Sequence, residues 1–299
     1  MNDGIVKKRI LFIVNPVAGV RSKVGIPDLI EQEIDTRQYD CHIAYTQFAG
    51  HAVYITQEAV AEKLYDIVVA VGGDGSVNEV ASQLVDTPVA LGIIPLGSGN
   101  GLARKLGIPM QQRAAIQTLN HCHTTTVDVG LINNRYFFSN AGIGYSAMVA
   151  ARFSGRKNRG MTGYALTIAG GLSRYRPVSC HIDCNNTGFE TSAFDITFNN
   201  SGQFGYGMGL TPHSNLSDGQ LELTIVRHFP LFQIFWVVLL FIINRLYKSH
   251  YLKKIEMQKA TLRCPKPVQA QIDGDPVFIA DTFEVSVKQQ ALKVVVPDK

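Results

Sequence analysis

Apolar runs with no polar alternation, each closed by a glycine turn, constrain this chain more than any other feature. Ile67–Val71 leads straight into Gly72-Gly73-Asp74-Gly75, and Arg9–Asn15, Asp40–Thr46 and Val89–Ile94 are runs of the same kind. Between them Ile26–Ile34, Gly50–Leu64 and Val77–Leu84 read as helices. Strands that are apolar on both faces and separated by helices predict an α/β domain with a parallel sheet covered on both sides.

From about Thr126 the pattern changes. Val127–Leu131, Arg135–Asn140, Ser179–Asp183, Ala193–Asn199, Gln220–Arg227, Thr261–Cys264, Val268–Ile272, Thr282–Val287 and Leu292–Val296 are strand-like. Turn clusters join them, among them Asn133-Asn134, Cys184–Gly188 and Asp273-Gly274-Asp275-Pro276. This predicts a mostly antiparallel β-sandwich domain, interrupted by two helical insertions at Gly160–Tyr175 and Leu231–Lys254. The expected domains are 1–125 and 126–299, with the last strand able to return to the first. A chain of 299 residues that is 46% hydrophobic has core enough for two such domains.

Composition narrows the function classes. A net charge of +4 permits contact with phosphates or lipid head groups, but no long basic stripe points to nucleic acid. Cys180-His181-x-x-Cys184 has half of a zinc-site spacing and lacks a second ligand pair, so the five scattered cysteines read as reduced thiols of a cytoplasmic protein. The most apolar segment, Leu231–Ile243, is interrupted by Gln233 and falls short of the roughly 20 residues that span a bilayer. The apolar run Ile10–Val14 is too short for the core of a signal peptide, so no export signal is expected.

Chemistry concentrates in the glycine turns. Ser76 and Glu79 have capping-box spacing, which places a helix start directly after Gly72-Gly73-Asp74-Gly75. Strand, glycine turn and helix N-terminus together present backbone N–H groups to a phosphate. The loop has no lysine, so it is not a Walker A loop, and it does not fit GxGxxG. An aspartate beside phosphate oxygens implies Mg²⁺ or acceptance of a proton from an attacking hydroxyl, which is phosphoryl-transfer chemistry. Asn15-Pro16-Val17-Ala18-Gly19 and Gly97-Ser98-Gly99-Asn100-Gly101 end two further strands, the second before a short helix carrying Arg104 and Lys105. All three loops are expected at the carboxyl ends of parallel strands, where open α/β sheets bind ligands.

At these residues the chain resembles the diacylglycerol-kinase catalytic family, which includes sphingosine and ceramide kinases and bacterial lipid kinases. The resemblance covers nearly the whole length. It rests on Asn15-Pro16…Gly19, Thr46 with Gly50-His51-Ala52, Gly72-Gly73-Asp74-Gly75-Ser76-x-Asn78-Glu79, and Pro95-Leu96-Gly97-Ser98-Gly99-Asn100 with Ala103-Arg104. Asn140-x-Gly142-x-Gly144, Ser217-Asp218-Gly219-x-Leu221 and Ile272-Asp273-Gly274-Asp275 follow.

The resemblance implies ATP and Mg²⁺ as cofactors and a lipid hydroxyl as acceptor. It implies nucleotide contacts from Asn15, Pro16, Val17, Ala18, Gly19, Thr46, Gly72, Gly73, Asp74, Gly75, Ser76, Val77 and Asn78. Gly97, Ser98, Gly99 and Asn100 belong to the same set, with Arg104 neutralising a phosphate. It implies a structural Mg²⁺ site at Asp218 with Asn215 and Gln220. The family's Asp-Gly-Glu places a general base where this chain has the shorter Asp275, which leaves Asp74 as the competing base. Gly101 stands where diacylglycerol-type members carry an acidic residue, so the fourth motif looks more like the sphingoid and ceramide branch. Two rivals stand beside a lipid kinase: a kinase of a soluble substrate such as NAD, and a catalytically silent nucleotide-binding regulator. One basic cluster, Arg152, Arg156, Lys157 and Arg159, surrounds two glycines, and a second, Arg245, Lys248, Lys253 and Lys254, follows an aromatic-rich stretch with Phe232, Phe235 and Trp236. They suggest peripheral contact with an anionic membrane surface. A homodimer is compatible with the sequence.

Overall fold

The computed structural model describes residues 7–18, 25–154, 167, 170–172, 175–204 and 208–298. Gly19 of the first glycine turn, Arg156, Lys157 and Arg159, and most of the expected insertion Gly160–Tyr175 lie outside the described residues. The chain divides into two compact units, 1–127 with 290–299, and 128–289.

The first unit alternates β1 Lys8–Val14, α1 Ile26–Glu33, β2 Tyr39–Tyr45, α2 His51–Ala61, β3 Ile67–Gly72, α3 Asp74–Leu84, β4 Ala90–Pro95, α4 Gly101–Lys105 and α5 Gln112–His121. Strands β1 and β2, β1 and β3, and β3 and β4 pair in parallel. Every residue of β3 and β4 is buried, which explains why those runs carry no polar alternation. Strand β2 is paired to β1 at one side only and keeps a half-exposed face, and its Tyr39 hydroxyl donates to Leu119 O at 2.7 Å from within the core. Sequence reading left α5 unassigned. It forms because Ala115, Ile116 and Leu119 fall on one buried face.

The second unit holds β5 Thr124–Ile132 (from Asp128), β6 Arg135–Phe137, β7 Asn140–Gly144, α6 Tyr145–Ser154, β8 Val178–Cys184, β9 Thr187–Asn199, β10 Leu221–Arg227, β11 Leu252–Met257, β12 Lys259–Ile272 and β13 Asp275–Val295. Its pairings are antiparallel: β5–β6, β7–β9, β8–β9, β9–β10, β10–β11, β12–β7, β12–β8 and β12–β13. Phe137, Phe198, Leu223, Leu262 and Phe283 fill the core between them. From Gln290 onward β13 belongs to the first unit, where Val294 pairs in parallel with Leu91 of β4.

One expectation is corrected here. The helix expected over Leu231–Lys254 is confined to Ile234–Ile242 with a short 3-10 turn on either side, and Leu252–Met257 is a strand on β10. Asn244 adopts φ 52°, which ends the helix, and only Leu252 and Met257 of β11 are buried, so the charged residues between them mask a strand. Helix α6 went unread because it starts directly from β7 without a polar break.

Candidate active site

The registers of the first unit set its strand tips side by side. Val14 of β1 pairs with Val71 of β3, and Gly72 of β3 pairs with Pro95 of β4. Beyond the strands the pairing continues: Asn15 N–H donates to Val71 O at 3.1 Å, Thr46 N–H to Val14 O at 3.0 Å, and Leu96 N–H to Gly72 O at 2.8 Å. Asn15, Thr46, Gly72 and Gly97 therefore share one edge, the carboxyl edge of parallel strands.

Side chains then tie the loops together. Asn15 Nδ2–H donates to Ser76 Oγ at 3.0 Å, and Asn15 Oδ1 accepts the Val17 N–H at 3.0 Å. Ser76 and Glu79 do not form a capping box, which corrects the sequence reading. The helix α3 begins at Asp74, with Gly73 as an N-cap that makes no side-chain hydrogen bond, so Ser76 is already in the first turn. Glu79 instead reaches sideways and accepts the Gly50 N–H at 2.9 Å, securing the start of α2.

Asp74 has an unexpected occupation. One carboxylate oxygen accepts the Asn100 N–H and the other the Gly101 N–H, both at 2.8 Å. The aspartate between the glycines thus bolts the β3–α3 turn to the β4–α4 turn and caps α4. Burial pushes its carboxyl above the ordinary range, against the two amide hydrogen bonds and the nearby Arg104 charge that favour the carboxylate. The two glycine turns touch: a Cβ on Gly97 would lie 2.7 Å from the Gly73 Cα, so Gly97 accepts no larger residue unless the turns part, whereas a Cβ on Gly73 would sit 3.4 Å from the Gly97 Cα, an ordinary contact. Asn100, at φ 53°, donates through Nδ2 to Gly97 O at 2.6 Å, while its buried Oδ1 has no partner among the described residues. Arg104 Nε donates to Gly99 O at 2.8 Å, which holds its guanidinium over the same turn. Pro16, Val17, Ala18 and Ser98 lie on these turns, Gly75 and Asn78 lie in the first two turns of α3, and Val77 is buried.

In the second unit a carboxylate that sequence reading passed over holds the Ile272-Asp273-Gly274-Asp275 turn. Asp273 accepts N–H groups from Phe138, Ser139 and Asn140, the shortest at 2.7 Å. Its φ of 49°, followed by Gly274 at 89°, closes the two-residue β12–β13 hairpin, a motif legible as Asp-Gly between strands. Asp275 is exposed at the start of β13. Asn215, Asp218 and Gln220 share the loop before β10, where Asp218 Oδ1 accepts the Gln220 N–H at 3.0 Å and Gly219 N–H donates to Asp128. The Asp218 carboxyl is raised by burial first and then by the negative charges of Asp128 and Glu222. Among the described residues no group of three His, Cys, Asp or Glu side chains converges as a metal cage. Cys180 and Cys184 face the core of the sheet, while His181 points the other way to Glu190 and Asp183 at 2.9 and 3.0 Å.

An edge of glycine turns on an α/β unit, joined in one chain to an antiparallel β unit, is the architecture to set beside known proteins. Residues 9–132 match the diacylglycerol kinase catalytic domain, and residues 139–296 match the YegS C-terminal NAD kinase beta sandwich-like domain. The chain belongs to this family. It is 28% identical over 281 residues to a YegS-like lipid kinase of Chromohalobacter salexigens, covering 91% of this chain and 90% of that one. It is 30% identical to a diacylglycerol kinase of Staphylococcus epidermidis, covering 74% and 71%, and 27% identical to one of Bacillus subtilis, covering 90% of each. The crystal structure of a diacylglycerol kinase from Bacillus anthracis shares the fold, with a TM-score of 0.74 at 20% identity over 97% of both chains.

Proposed function

We propose that the protein is an ATP-dependent lipid kinase that transfers the γ-phosphate of ATP to a lipid hydroxyl. The observation that carries this reading is the alignment of the Asn15, Gly72 and Gly97 turns on one strand edge. Membership of a family whose named relatives are lipid and diacylglycerol kinases supports the acceptor class.

In this mechanism the turns bind the triphosphate through backbone N–H groups and the N-terminus of α3, and Arg104 offsets its charge. The lipid hydroxyl attacks the γ-phosphorus in line, the bond to the bridging oxygen breaks, and ADP leaves. We assign the proton of that hydroxyl to Asp275, whose carboxyl is exposed. Asp74 is assigned as a positioning residue, because both of its oxygens already hold backbone N–H groups. Asn215, Asp218 and Gln220 are oxygen donors in an acidic neighbourhood, which fits a hard cation such as Mg²⁺. Bound there, the ion would neutralise Asp128, Asp218 and Glu222 and brace the loop.

The same reading brings the protein to a membrane surface. Phe232, Phe235 and Trp236 are 79%, 68% and 60% exposed around the helix Ile234–Ile242, and Arg245, Lys248 and Lys253 are exposed nearby. Aromatic rings flanked by cations suit the interface of an anionic bilayer. Among the described residues no helix is long and apolar enough to cross a membrane. Transfer of labelled phosphate from ATP, run in parallel on diacylglycerol, a sphingoid base and NAD, tests the function. A labelled lipid supports it; labelled NAD, or nucleotide binding with no product, overturns it.

A further inference from the structure

The β8–β12 ladder brings two thiols face to face. Its register runs Ala260 to Cys184, Leu262 to Ile182 and Arg263 to His181, so the next position sets Cys264 opposite Cys180. Both side chains lie on the buried face, 1% exposed for Cys180 and 8% for Cys264. Their sulfurs lie close enough to interact with one another. Directly opposed residues of an antiparallel pair have Cα atoms about 4.5–5.5 Å apart, inside the roughly 4.4–6.8 Å that a disulfide spans. Cys184 faces Ala260 and sits four residues along the strand from Cys180, about 13 Å away at strand rise. Cys41 and Cys122 belong to the first unit. One pairing is therefore open to the thiols of the second unit.

We propose that Cys180 and Cys264 are a dithiol modification site that closes to a disulfide when the protein meets hydrogen peroxide. The Cys264 sulfur attacks the peroxide, the O–O bond breaks, one water leaves and a sulfenic acid forms. The Cys180 sulfur then attacks the Cys264 sulfur, the S–O bond breaks and a second water leaves. Both thiol protons end in water, and the peroxide takes the two electrons. Cys264 is the first to react because it is the more exposed. The consequence is a covalent weld between β8 and β12, independent of the kinase reading.

The test is treatment of the full native chain with hydrogen peroxide, then peptide mapping by mass spectrometry without reductant. The expected result is a linked Cys180–Cys264 peptide pair, lighter by two hydrogens, which forms in the Cys41→Ser/Cys122→Ser variant and disappears in Cys264→Ser. The oxidised chain should unfold at higher urea than the reduced chain. Three results would overturn the proposal: a link through another cysteine pair, both thiols still reduced when free glutathione in the same tube is fully oxidised, or a link that forms only after unfolding in urea.

Discussion

Replacing Asp74 by Asn isolates what this carboxylate does. The wild-type oxygens accept the Asn100 and Gly101 N–H groups at 2.8 Å each. Asparagine keeps one acceptor and turns an NH₂ toward the second N–H. Losing a charge-assisted hydrogen bond costs about 1.5–3 kcal/mol, and removing a buried charge returns part of that, leaving a net loss of about 1–2 kcal/mol. The opening is local to the α4 turn, so amide exchange at Asn100 and Gly101 should accelerate about tenfold while β3 amides stay protected. Turnover should fall with it, because the turn bearing Ser98 and Arg104 loses its anchor. The pH dependence carries a definite sign. A carboxyl raised by burial makes the folded chain bind its proton more readily than the unfolded one. Stability tied to Asp74 therefore falls as pH rises from the unfolded value of 3.8 through the folded value, and the Asn variant lacks that fall. Unchanged exchange at both amides together with abolished turnover would refute this reasoning and make Asp74 the proton acceptor instead.

Gly97→Ala should drive a methyl against Gly73 and part the two turns, costing about 1–3 kcal/mol by urea melting and weakening ATP binding. Asp273→Ala should strip three N–H groups of their acceptor and lower stability by about 3 kcal/mol, whereas exposed Asp275→Asn should leave the urea midpoint within error and remove turnover. His181 is raised above 6.5 by hydrogen bonds to Glu190 first and then Asp183. Its stabilisation is complete below 6.5 and lost as pH rises through the folded value, so the Tm gap between wild type and His181→Gln should close on alkaline titration.

The sequence carried the strands of the first unit because a buried strand announces itself as an unbroken apolar run, and Ile67–Val71 falls within one residue of β3. It also carried the turns, since glycine marks where chains must approach closely. It did not carry what a side chain does once tertiary neighbours exist. Ser76 and Glu79 have the spacing of a local cap, yet Glu79 finds Gly50 and Ser76 finds Asn15, partners far away in sequence. Asp74 has the look of a catalytic group from its loop alone, and only the fold reveals the two amides 26 and 27 residues away that occupy it. Strand β11 was hidden because Lys253, Lys254 and Glu256 give its exposed positions the look of a helix tail.

The returning end of β13 sets an order of events during synthesis. Leu292, Val294 and Val295 are buried in the first unit, Ala291 O accepts the Asp86 N–H at 2.7 Å, and Val296 N–H donates to His123 O at 2.9 Å. These residues leave the ribosome about 160 positions after the rest of that unit. At roughly 5–20 residues per second, β4 waits ~10–30 s with an unpaired flank. A nascent chain of this design spends that interval as an incomplete sheet, open to chaperones and to its own neighbours on the polysome, and trimming its last ten residues would make the interval permanent.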